Sequence, residues 1–269
     1  MNATDAAFGG SIPALYERYL GSLLFRPFAE DLAARLRDVT AGRVLETAAG
    51  TGIATRALAA ALPPLVEIIA TDLNQEMLDQ ARTKLQAPNV TWRQTDAQTL
   101  PFEDTSFDAV VCQFGVMFFP DKQKAYREAL RVLKPGGRFL FNVWDRLDAN
   151  PVSKIVSDRI IGMFPEDPPR FIERIPFGYF DEDRIEGELQ LAGFESIAIE
   201  PVDKVGQAPT AREAAIGLTQ GTPLRGEIEA RAPGRLEEIT DQAAQALAGR
   251  FGDGPIEHGM RALVVTALR

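Results

Sequence analysis

Apolar side chains recur every three or four positions near the start of the chain, the spacing that predicts a helix with one buried face. The pattern covers residues 11–38, and Pro27 interrupts it, so we predict two helices that meet at this proline. The repeated positions are Leu15, Tyr19, Leu20, Leu23, Leu24, Phe28, Leu32 and Leu36. We expect these helices to form a cap on the core that follows.

From residue 43 onward, short apolar runs alternate with amphipathic segments. We predict strands over 43–47, 66–72, 90–96, 107–114 and 137–144, and helices over 54–62, 74–86 and 121–134. Strands that alternate with helices in this way form a parallel sheet with helices on both faces. Because crossovers between parallel strands are right-handed, the predicted fold class is α/β, with a doubly wound, Rossmann-like sheet.

The alternation is interrupted after Trp144. Residues 146–178 are rich in Pro, Phe and Ile and contain the breaker run PEDPPR (165–170), and we predict a helical insertion here. After it we predict a helix over 181–194, a strand over 195–202, helices within 207–250 and a last strand over 260–268. We interpret the chain as a single domain, 1–269. Its parts are an N-terminal helical cap (1–40), a ligand-binding core (41–145), two insertions that form a lid over the substrate (146–180 and 203–256) and the final strand (257–269).

Composition narrows the classes of function. The chain has a net charge of −9 and a single cysteine, Cys112, which cannot form a disulfide within the chain. An acidic chain without a cluster of Lys and Arg argues against binding to nucleic acid. Residues 1–15 lack the pattern of a secretory signal, and no apolar stretch approaches the ~20 residues of a membrane span. We expect a cytoplasmic monomer or homodimer that acts on a small molecule.

A turn of small residues joins the first predicted strand to the next helix. In VLETAAGTG (44–52), Ala48, Ala49, Gly50 and Gly52 leave room for a ligand to approach the backbone. The first amides of the following helix point to the same place and favour an anionic group. Such turns are common in α/β proteins, so this one alone is weak evidence for a nucleotide-type site.

Three acidic residues follow three consecutive predicted strands: Glu46, Asp72 and Asp96. Glu46 would be costly to bury unless it meets a cationic group or caps backbone amides. Asp72 stands where such folds hold a ribose, although it could instead cap a helix, and Asp96 could accept a hydrogen bond from an adenine amino group. Together they predict a crevice for an adenosine-containing ligand at the carboxyl edge of the sheet.

Four segments, in order, resemble the class I S-adenosylmethionine-dependent methyltransferases, particularly the UbiE-like group called methyltransferase type 11. VLETAAGTG resembles the family's acidic, glycine-rich first motif, and ATDLNQEML its ribose motif. QTDAQTLPFEDTSFDAVVCQF resembles the adenine and fourth motifs, and LRVLKPGGRFLF the helix, turn and strand that follow. The resemblance, which covers residues 43–142, implies S-adenosyl-L-methionine as cofactor, S-adenosyl-L-homocysteine as product, no metal, and a seven-stranded sheet whose last strand is antiparallel.

The resemblance also implies a set of cofactor contacts. Glu46 would lie near the methionine amino group, Asp72 on the ribose, and Asp96 with Ala97 at the adenine edge. Tyr16 and Tyr19 resemble the family's N-terminal tyrosines near the cofactor carboxylate, and of the two we expect Tyr19 to make the contact. The other implied contacts are Ala48 and Gly50 along the cofactor, Leu73 and Met77 beside adenine, and Gln113 and Phe114 beside the methionine moiety. Ala48 departs from the motif, which usually has a glycine there, and we expect its methyl group to be tolerated.

Aromatic residues predict where an acceptor molecule would bind. They populate the N-terminal helices, the segment after the fourth strand and the first insertion, and they could close over an apolar pocket. These residues are Tyr16, Tyr19, Phe25, Phe28, Phe118, Phe119, Phe164, Phe171, Phe177, Tyr179 and Phe180. The sequence identifies no catalytic residue. Asp145 is a candidate base, but an aspartate at such a position is more often a helix cap or a surface charge. His258 lies outside every motif.

Two other functions fit parts of the same sequence. A nicotinamide-dependent oxidoreductase would use a similar domain, but the turn lacks G-x-G-x-x-G because Ile53 follows Gly52. A non-catalytic module that binds S-adenosylmethionine without turnover would retain the same motifs. The four motifs favour methyl transfer from S-adenosylmethionine. The acidic charge and the aromatic residues favour a small apolar or aromatic acceptor, with an oxygen, nitrogen or carbon nucleophile left open.

Overall fold

One sheet runs through the molecule, and the computed structural model describes it within residues 8–269. Predictions that fall on residues 1–7 lie outside the described part. The strands are β1 (Gly42–Glu46), β2 (Val66–Asp72), β3 (Val90–Gln94), β4 (Phe107–Gln113), β5 (Leu133–Trp144), β6 (Ser196–Ala208) and β7 (Ile256–Leu268). Their order across the sheet is β3-β2-β1-β4-β5-β7-β6.

The strand pairing confirms the predicted fold class. The strands β1 to β5 pair in parallel, and β7 is antiparallel to both of its neighbours, β5 and β6. The chain moves outward from β1 through β2 to β3 and then returns to β4 on the other side of β1. The strand order therefore reverses between β1 and β4, the point at which open α/β sheets bind ligands.

Helices cover both faces of the sheet. They are α1 (Ile12–Leu15), α2 (Arg26–Ala34), α3 (Ile53–Ala61), α4 (Gln75–Lys84), α5 (Lys122–Val132), α6 (Pro151–Met163), α7 (Phe171–Arg174), α8 (Glu182–Ala192), α9 (Ala211–Gln220), α10 (Leu224–Arg231) and α11 (Leu236–Phe251). Val44 and Leu45 on β1 are fully buried and point to opposite faces, each into its own apolar cluster. Because helices cover both faces of the sheet, side chains on both faces of the inner strands are buried, and the sequences of these strands are continuous apolar runs. None of the helices within residues 8–269 is long and apolar enough to cross a membrane.

The N-terminal cap differs from the prediction of two helices that break at Pro27. A π-helical segment of ten residues (Tyr16–Phe25) continues directly into α2, and Pro27 occupies the first turn of α2. A proline is tolerated there because the first amides of a helix have no partner within it. The π-helical segment bonds residues five apart, so its faces differ from those that α-helical spacing predicts.

The first insertion is helical in part, as predicted, because α6 occupies 13 of its residues. The end of β6 differs from the prediction. The antiparallel pair of β6 and β7 extends to Ala208 and Ile256, so residues 203–208 belong to the sheet and not to a lid. The prediction ended β6 near Pro201, but β6 is an edge strand, and edge strands tolerate proline.

Asp31 links the cap to the edge of the sheet and should make stability depend on pH. Its carboxylate accepts from Arg35 Nε at 2.7 Å and from Lys204 Nζ of β6 at 2.9 Å. Burial raises the pKa of Asp31, but these two partners outweigh it and hold the pKa below its usual value. Ionised Asp31 therefore stabilises the fold above its unfolded pKa of about 4, and this contribution is lost as pH falls through the lower folded pKa.

We expect Asp31→Asn to lower the free energy of unfolding by about 1 kcal/mol at pH 7 and by much less near pH 3. Urea denaturation at both pH values measures the difference. Glu30→Gln, at an exposed position of α2 next to Asp31, serves as the comparison. A deficit for Asp31→Asn that is equal at both pH values would contradict the assigned role.

Candidate functional site

Three connected cavities lie at the carboxyl edge of the sheet, beside the point where the strand order reverses. The largest, which we call the main cavity, has a volume of about 340 Å³. Nine of the eleven predicted contacts line it: Ala48, Gly50, Asp72, Leu73, Met77, Asp96, Ala97, Gln113 and Phe114. Because the carboxyl ends of parallel strands meet at one edge, residues far apart in sequence come together here.

The inner pocket, of about 30 Å³, lies next to the main cavity, and Glu46 and Ala49 contribute to its wall. Glu46 is only 1% exposed, and its Oε2 atom has no hydrogen-bond partner within residues 8–269. Burial raises the pKa of the Glu46 carboxyl to about 8, and the nearby Asp72 carboxylate adds to the rise. A buried carboxyl with an unsatisfied oxygen is well suited to a cationic partner.

Asp72 is held in place by the turn that follows β1. Its Oδ2 atom accepts from the Gly50 amide at 2.8 Å, and its Oδ1 atom accepts from the Asn74 amide at 2.7 Å. Burial raises the pKa of Asp72 while these two amides oppose the rise. Each carboxylate oxygen keeps a further lone pair, so Asp72 can accept two more hydrogen bonds from hydroxyl groups in the main cavity.

The far end of the main cavity combines an acidic side chain with apolar ones. Asp96 accepts from the Gln98 amide at 2.8 Å, which fixes its carboxylate at the rim. Leu73 is 58% exposed although it is large and apolar, and Met77 opposite is buried. An exposed leucine above a buried methionine, next to a carboxylate, suits a flat heterocycle with an amino group at its edge.

Gln113 and Phe114 end β4 at the junction of the cavities. Gln113 Nε2 donates to the Phe25 carbonyl of the cap at 2.9 Å, while its buried Oε1 atom has no partner among the described residues. Phe114 has a positive φ of 48° and stacks on Trp144 with ring centroids 4.0 Å apart. Its amide donates to the Asn142 side chain at 2.9 Å, which stabilises this strained conformation.

The aromatic chamber, of about 60 Å³, is the third cavity and lies beyond Phe114. Five of the predicted aromatic residues line it: Tyr16, Phe25, Phe118, Phe171 and Phe177. Phe8 and Trp144 were missed as wall residues, because only the packing of the cap brings Phe8 within 5.6 Å of Phe118. Phe28, Phe164, Tyr179 and Phe180 do not line it, and Phe119 lines the main cavity instead.

Tyr16, and not Tyr19, is the tyrosine of the cap that reaches the site. Tyr16 borders all three cavities and stacks on Phe25 with ring centroids 4.8 Å apart. Residues nine apart lie on opposite sides of an α-helix, but two turns of a π-helix take about nine residues, so these two rings share a face. Tyr19 instead packs against Gly217 of α9 and borders none of the three cavities.

The cap is attached to the glycine-rich turn by a half-buried ion pair. Glu17 accepts from Arg56 at 2.6 Å and from the Thr51 hydroxyl at 2.6 Å, and Arg56 also donates to the Thr51 carbonyl at 3.0 Å. Glu17 is adjacent to Tyr16, so this attachment also fixes the tyrosine that borders the three cavities. No pattern in the sequence predicts this ion pair, because the pairing depends on how the cap packs.

The two remaining candidates for chemistry lie away from the cavities. Asp145 accepts from the adjacent Arg146 amide and borders none of the three. His258 is buried, and its Nε2 atom lies 3.1 Å from the Leu23 carbonyl of the cap. A wide surface depression of about 390 Å³ between α2 and α3 contains none of the predicted site residues.

Comparison with known proteins gives three results. The family model described as "Methyltransferase domain" matches residues 45–141. The chain is 32% identical over 187 residues to the ubiquinone/menaquinone biosynthesis C-methyltransferase UbiE of Klebsiella pneumoniae. This match covers 65% of this chain and 73% of that protein. It resembles the crystal structure of the YcgJ protein from Bacillus subtilis, with a TM-score of 0.56, 21% identity, and coverage of 89% of this chain and 98% of that chain.

A second solved structure has a similar fold and contains ligands. It is phosphoethanolamine N-methyltransferase 2 of Haemonchus contortus, in complex with phosphomonomethylethanolamine and S-adenosylhomocysteine. The TM-score is 0.58 at 18% identity, and the match covers 96% of this chain and 57% of that chain. At this level of identity the likeness concerns the fold alone.

The alanine in the first motif is accommodated by a glycine on the neighbouring loop. Ala48 has a φ of 53°, a conformation that costs a non-glycine residue about 1 kcal/mol. A Cβ atom at Gly115 would lie 2.5 Å from Ala48 Cβ and 2.7 Å from Cys112 Sγ. The methyl group of Ala48 therefore occupies the space that the missing side chain of Gly115 leaves free.

We expect Gly115→Ala to destabilise the protein by roughly 1–3 kcal/mol, as overpacking does in well-packed cores. Adding Ala48→Gly should recover part of this loss, because it removes one of the two clashes and also the strained φ. Thermal and urea unfolding of the two single variants and the double variant measure the coupling. Gly162→Ala in α6, where a Cβ atom would meet nothing, is the control. Strictly additive effects would show that the two residues are not coupled.

Proposed function

The chain belongs to the class I S-adenosylmethionine-dependent methyltransferases, in the UbiE-like type 11 group, and we propose that it methylates a small apolar or aromatic molecule bound in the aromatic chamber. The observation that carries the proposal is the arrangement of the cavities. The main cavity and the inner pocket contain carboxylates that suit an amino acid and a nucleoside. Tyr16 and Phe114 line both the main cavity and the aromatic chamber, whose walls are apolar.

We further propose that the predicted contacts hold the cofactor, with Tyr16 in place of Tyr19. The unsatisfied Oε2 of Glu46 suits the methionine ammonium, and the Asp72 carboxylate suits the two ribose hydroxyls. Leu73, Met77 and Asp96 suit the faces and the edge of adenine. The unsatisfied Gln113 Oε1 atom supports a polar contact near the methionine moiety.

The proposed chemistry requires little from the protein beyond orientation. When bound, S-adenosyl-L-methionine supplies a methyl group already activated by its sulfonium. Of the described residues that line the aromatic chamber, none is charged, and only Tyr16, Ser153 and Thr222 carry a hydroxyl group. These walls favour an uncharged acceptor whose nucleophilic atom needs no protein base, and they exclude water while the acceptor is held in line with the methyl group.

Incubation with isotope-labelled S-adenosyl-L-methionine and a panel of acceptors tests this function. The relative from Klebsiella pneumoniae is a C-methyltransferase of ubiquinone and menaquinone biosynthesis, so quinol-type aromatics head the panel. We expect label in neutral aromatic acceptors and none in charged amines or nucleic acid. Cofactor binding without transfer to any acceptor, or into a metabolite extract, would instead support a non-catalytic binding module, and binding of NADH alone would support an oxidoreductase.

Cofactor binding should release a proton from Glu46. With a pKa of about 8, Glu46 is mostly protonated at pH 7, and a bound ammonium group favours the carboxylate. We expect close to one proton to be released, measured by calorimetry with S-adenosyl-L-homocysteine in phosphate and in Tris, which differ in heat of ionisation. Glu46→Gln should abolish the buffer dependence, whereas the exposed Glu67→Gln on β2 should keep it. A wild-type heat that does not depend on buffer would overturn the role of Glu46.

Asp72→Ala should weaken the binding of S-adenosyl-L-homocysteine by roughly 1–3 kcal/mol, the range for hydrogen bonds to a charged group. Calorimetry at pH 7 measures the change. Asp79→Ala is the matched control, because Asp79 is an exposed carboxylate on α4 that borders none of the three cavities. An affinity of Asp72→Ala equal to that of the control would place the ribose elsewhere.

A further inference from the structure

The aromatic chamber has two walls that come from separate parts of the chain. Phe118 belongs to the loop after β4, and Phe171 and Phe177 belong to the insertion after β5. The rings of Phe118 and Phe171 face each other with centroids 6.4 Å apart. The separation of these walls determines the size of the chamber, so whatever joins them controls which acceptor fits.

Lys122, in the first turn of α5, holds the Phe118 wall. Its Nζ atom donates to the Phe119 carbonyl at 3.0 Å and to the Met117 carbonyl at 3.3 Å, on either side of Phe118. The side chain is half-buried and borders none of the three cavities. Burial lowers the pKa of Lys122, a cost that a surface lysine does not carry. A buried ammonium that bonds two carbonyls of one loop fixes the backbone of that loop.

Tyr179 holds the opposite wall, two residues after Phe177. Its buried ring lies between two cations, with Lys122 Nζ at 4.9 Å and the Arg184 guanidinium at 5.0 Å from the ring centroid. Its hydroxyl donates to Glu188 Oε2 at 2.7 Å and, because that uses its proton, accepts from the Tyr126 hydroxyl at 3.0 Å. Glu188 in turn accepts from Arg184 Nε at 2.9 Å. Tyr179 is thereby anchored to both α5 and α8.

We propose that Lys122 and Tyr179 form a clamp that sets the separation of the two chamber walls and so positions the methyl acceptor. The contact of the Lys122 ammonium with the Tyr179 ring joins α5, which holds the loop after β4, to the insertion. Both are positioning residues, since neither borders the chamber. The positioning of a methyl acceptor rests on the proposed function, but the effect of the clamp on the chamber walls can be tested without an acceptor.

The test uses Trp144, which borders the chamber and is 3% exposed. The chain has two tryptophans, so Trp92→Phe makes Trp144 the only fluorescent reporter. In this background, acrylamide quenching of Trp144 measures how accessible the chamber is. Calorimetry measures the affinity of the main cavity for S-adenosyl-L-homocysteine. The variants are Lys122→Met, Lys122→Arg and Tyr179→Leu, with Lys124→Met on the exposed side of α5 as the control.

We expect Lys122→Met to raise the quenching constant at least about twofold, because it frees a wall of the chamber. It should also weaken cofactor-product binding by about threefold or more, since the loop it releases lines the main cavity through Phe118 and Phe119. Tyr179→Leu, which removes the ring that Lys122 contacts, should raise quenching but leave that affinity unchanged, because the insertion does not border the main cavity. Lys122→Arg, which keeps a charged donor, should restore most of both properties.

If Lys122 only stabilises the fold, Lys122→Met has a lower melting temperature. Its quenching constant and affinity, measured well below that temperature, then equal those of Lys124→Met. That result overturns the clamp. If Lys122→Met does not fold, unchanged quenching in Tyr179→Leu has the same consequence. If the wild-type protein fails to bind S-adenosyl-L-homocysteine, the proposed function fails, and the quenching results still decide whether the clamp exists.

Discussion

The hydrogen bond from the Gly50 amide to Asp72 joins the turn after β1 to the end of β2, and the site depends on it. It fixes the turn that contains Ala48, directly beyond buried Glu46, and it orients the carboxylate that faces the main cavity. The turn can take this form because Gly50 and Gly52 adopt positive φ angles of 56° and 76°. Because Gly50 and Gly52 can adopt these angles, the turn holds the carboxylates of Glu46 and Asp72 at one edge of the sheet.

The two halves of the site are built on different physical principles. The half assigned to the cofactor is polar, and buried atoms such as Glu46 Oε2 and Gln113 Oε1 lack partners there. The aromatic chamber is apolar, with the Phe114 ring stacked on Trp144 at the junction. Such a division lets the first half hold a charged ligand by specific contacts, while the second excludes water from the reacting atoms.

The cap and the insertion complete the site through contacts between distant residues. Glu17 and Arg56 attach the cap to the glycine-rich turn, and the contact of Lys122 with Tyr179 joins α5 to the insertion. These charged groups surround the site without bordering the aromatic chamber, so they shape it and leave its walls apolar. Half-buried ion pairs and cation–π contacts of this kind contribute to geometry more than to stability.

The sequence by itself determined the order of strands and helices and the acidic residues at the strand ends, because both follow from local periodicity and from the parallel sheet that it predicts. It also determined the family, through motifs that are contiguous in the chain. Only the tertiary structure decided that Tyr16 reaches the site and Tyr19 does not, since π-helical spacing places Tyr16 on the same face as Phe25. It likewise decided how Gly115 accommodates Ala48 and how Lys122 meets Tyr179, because contacts between residues distant in sequence leave no periodic signal.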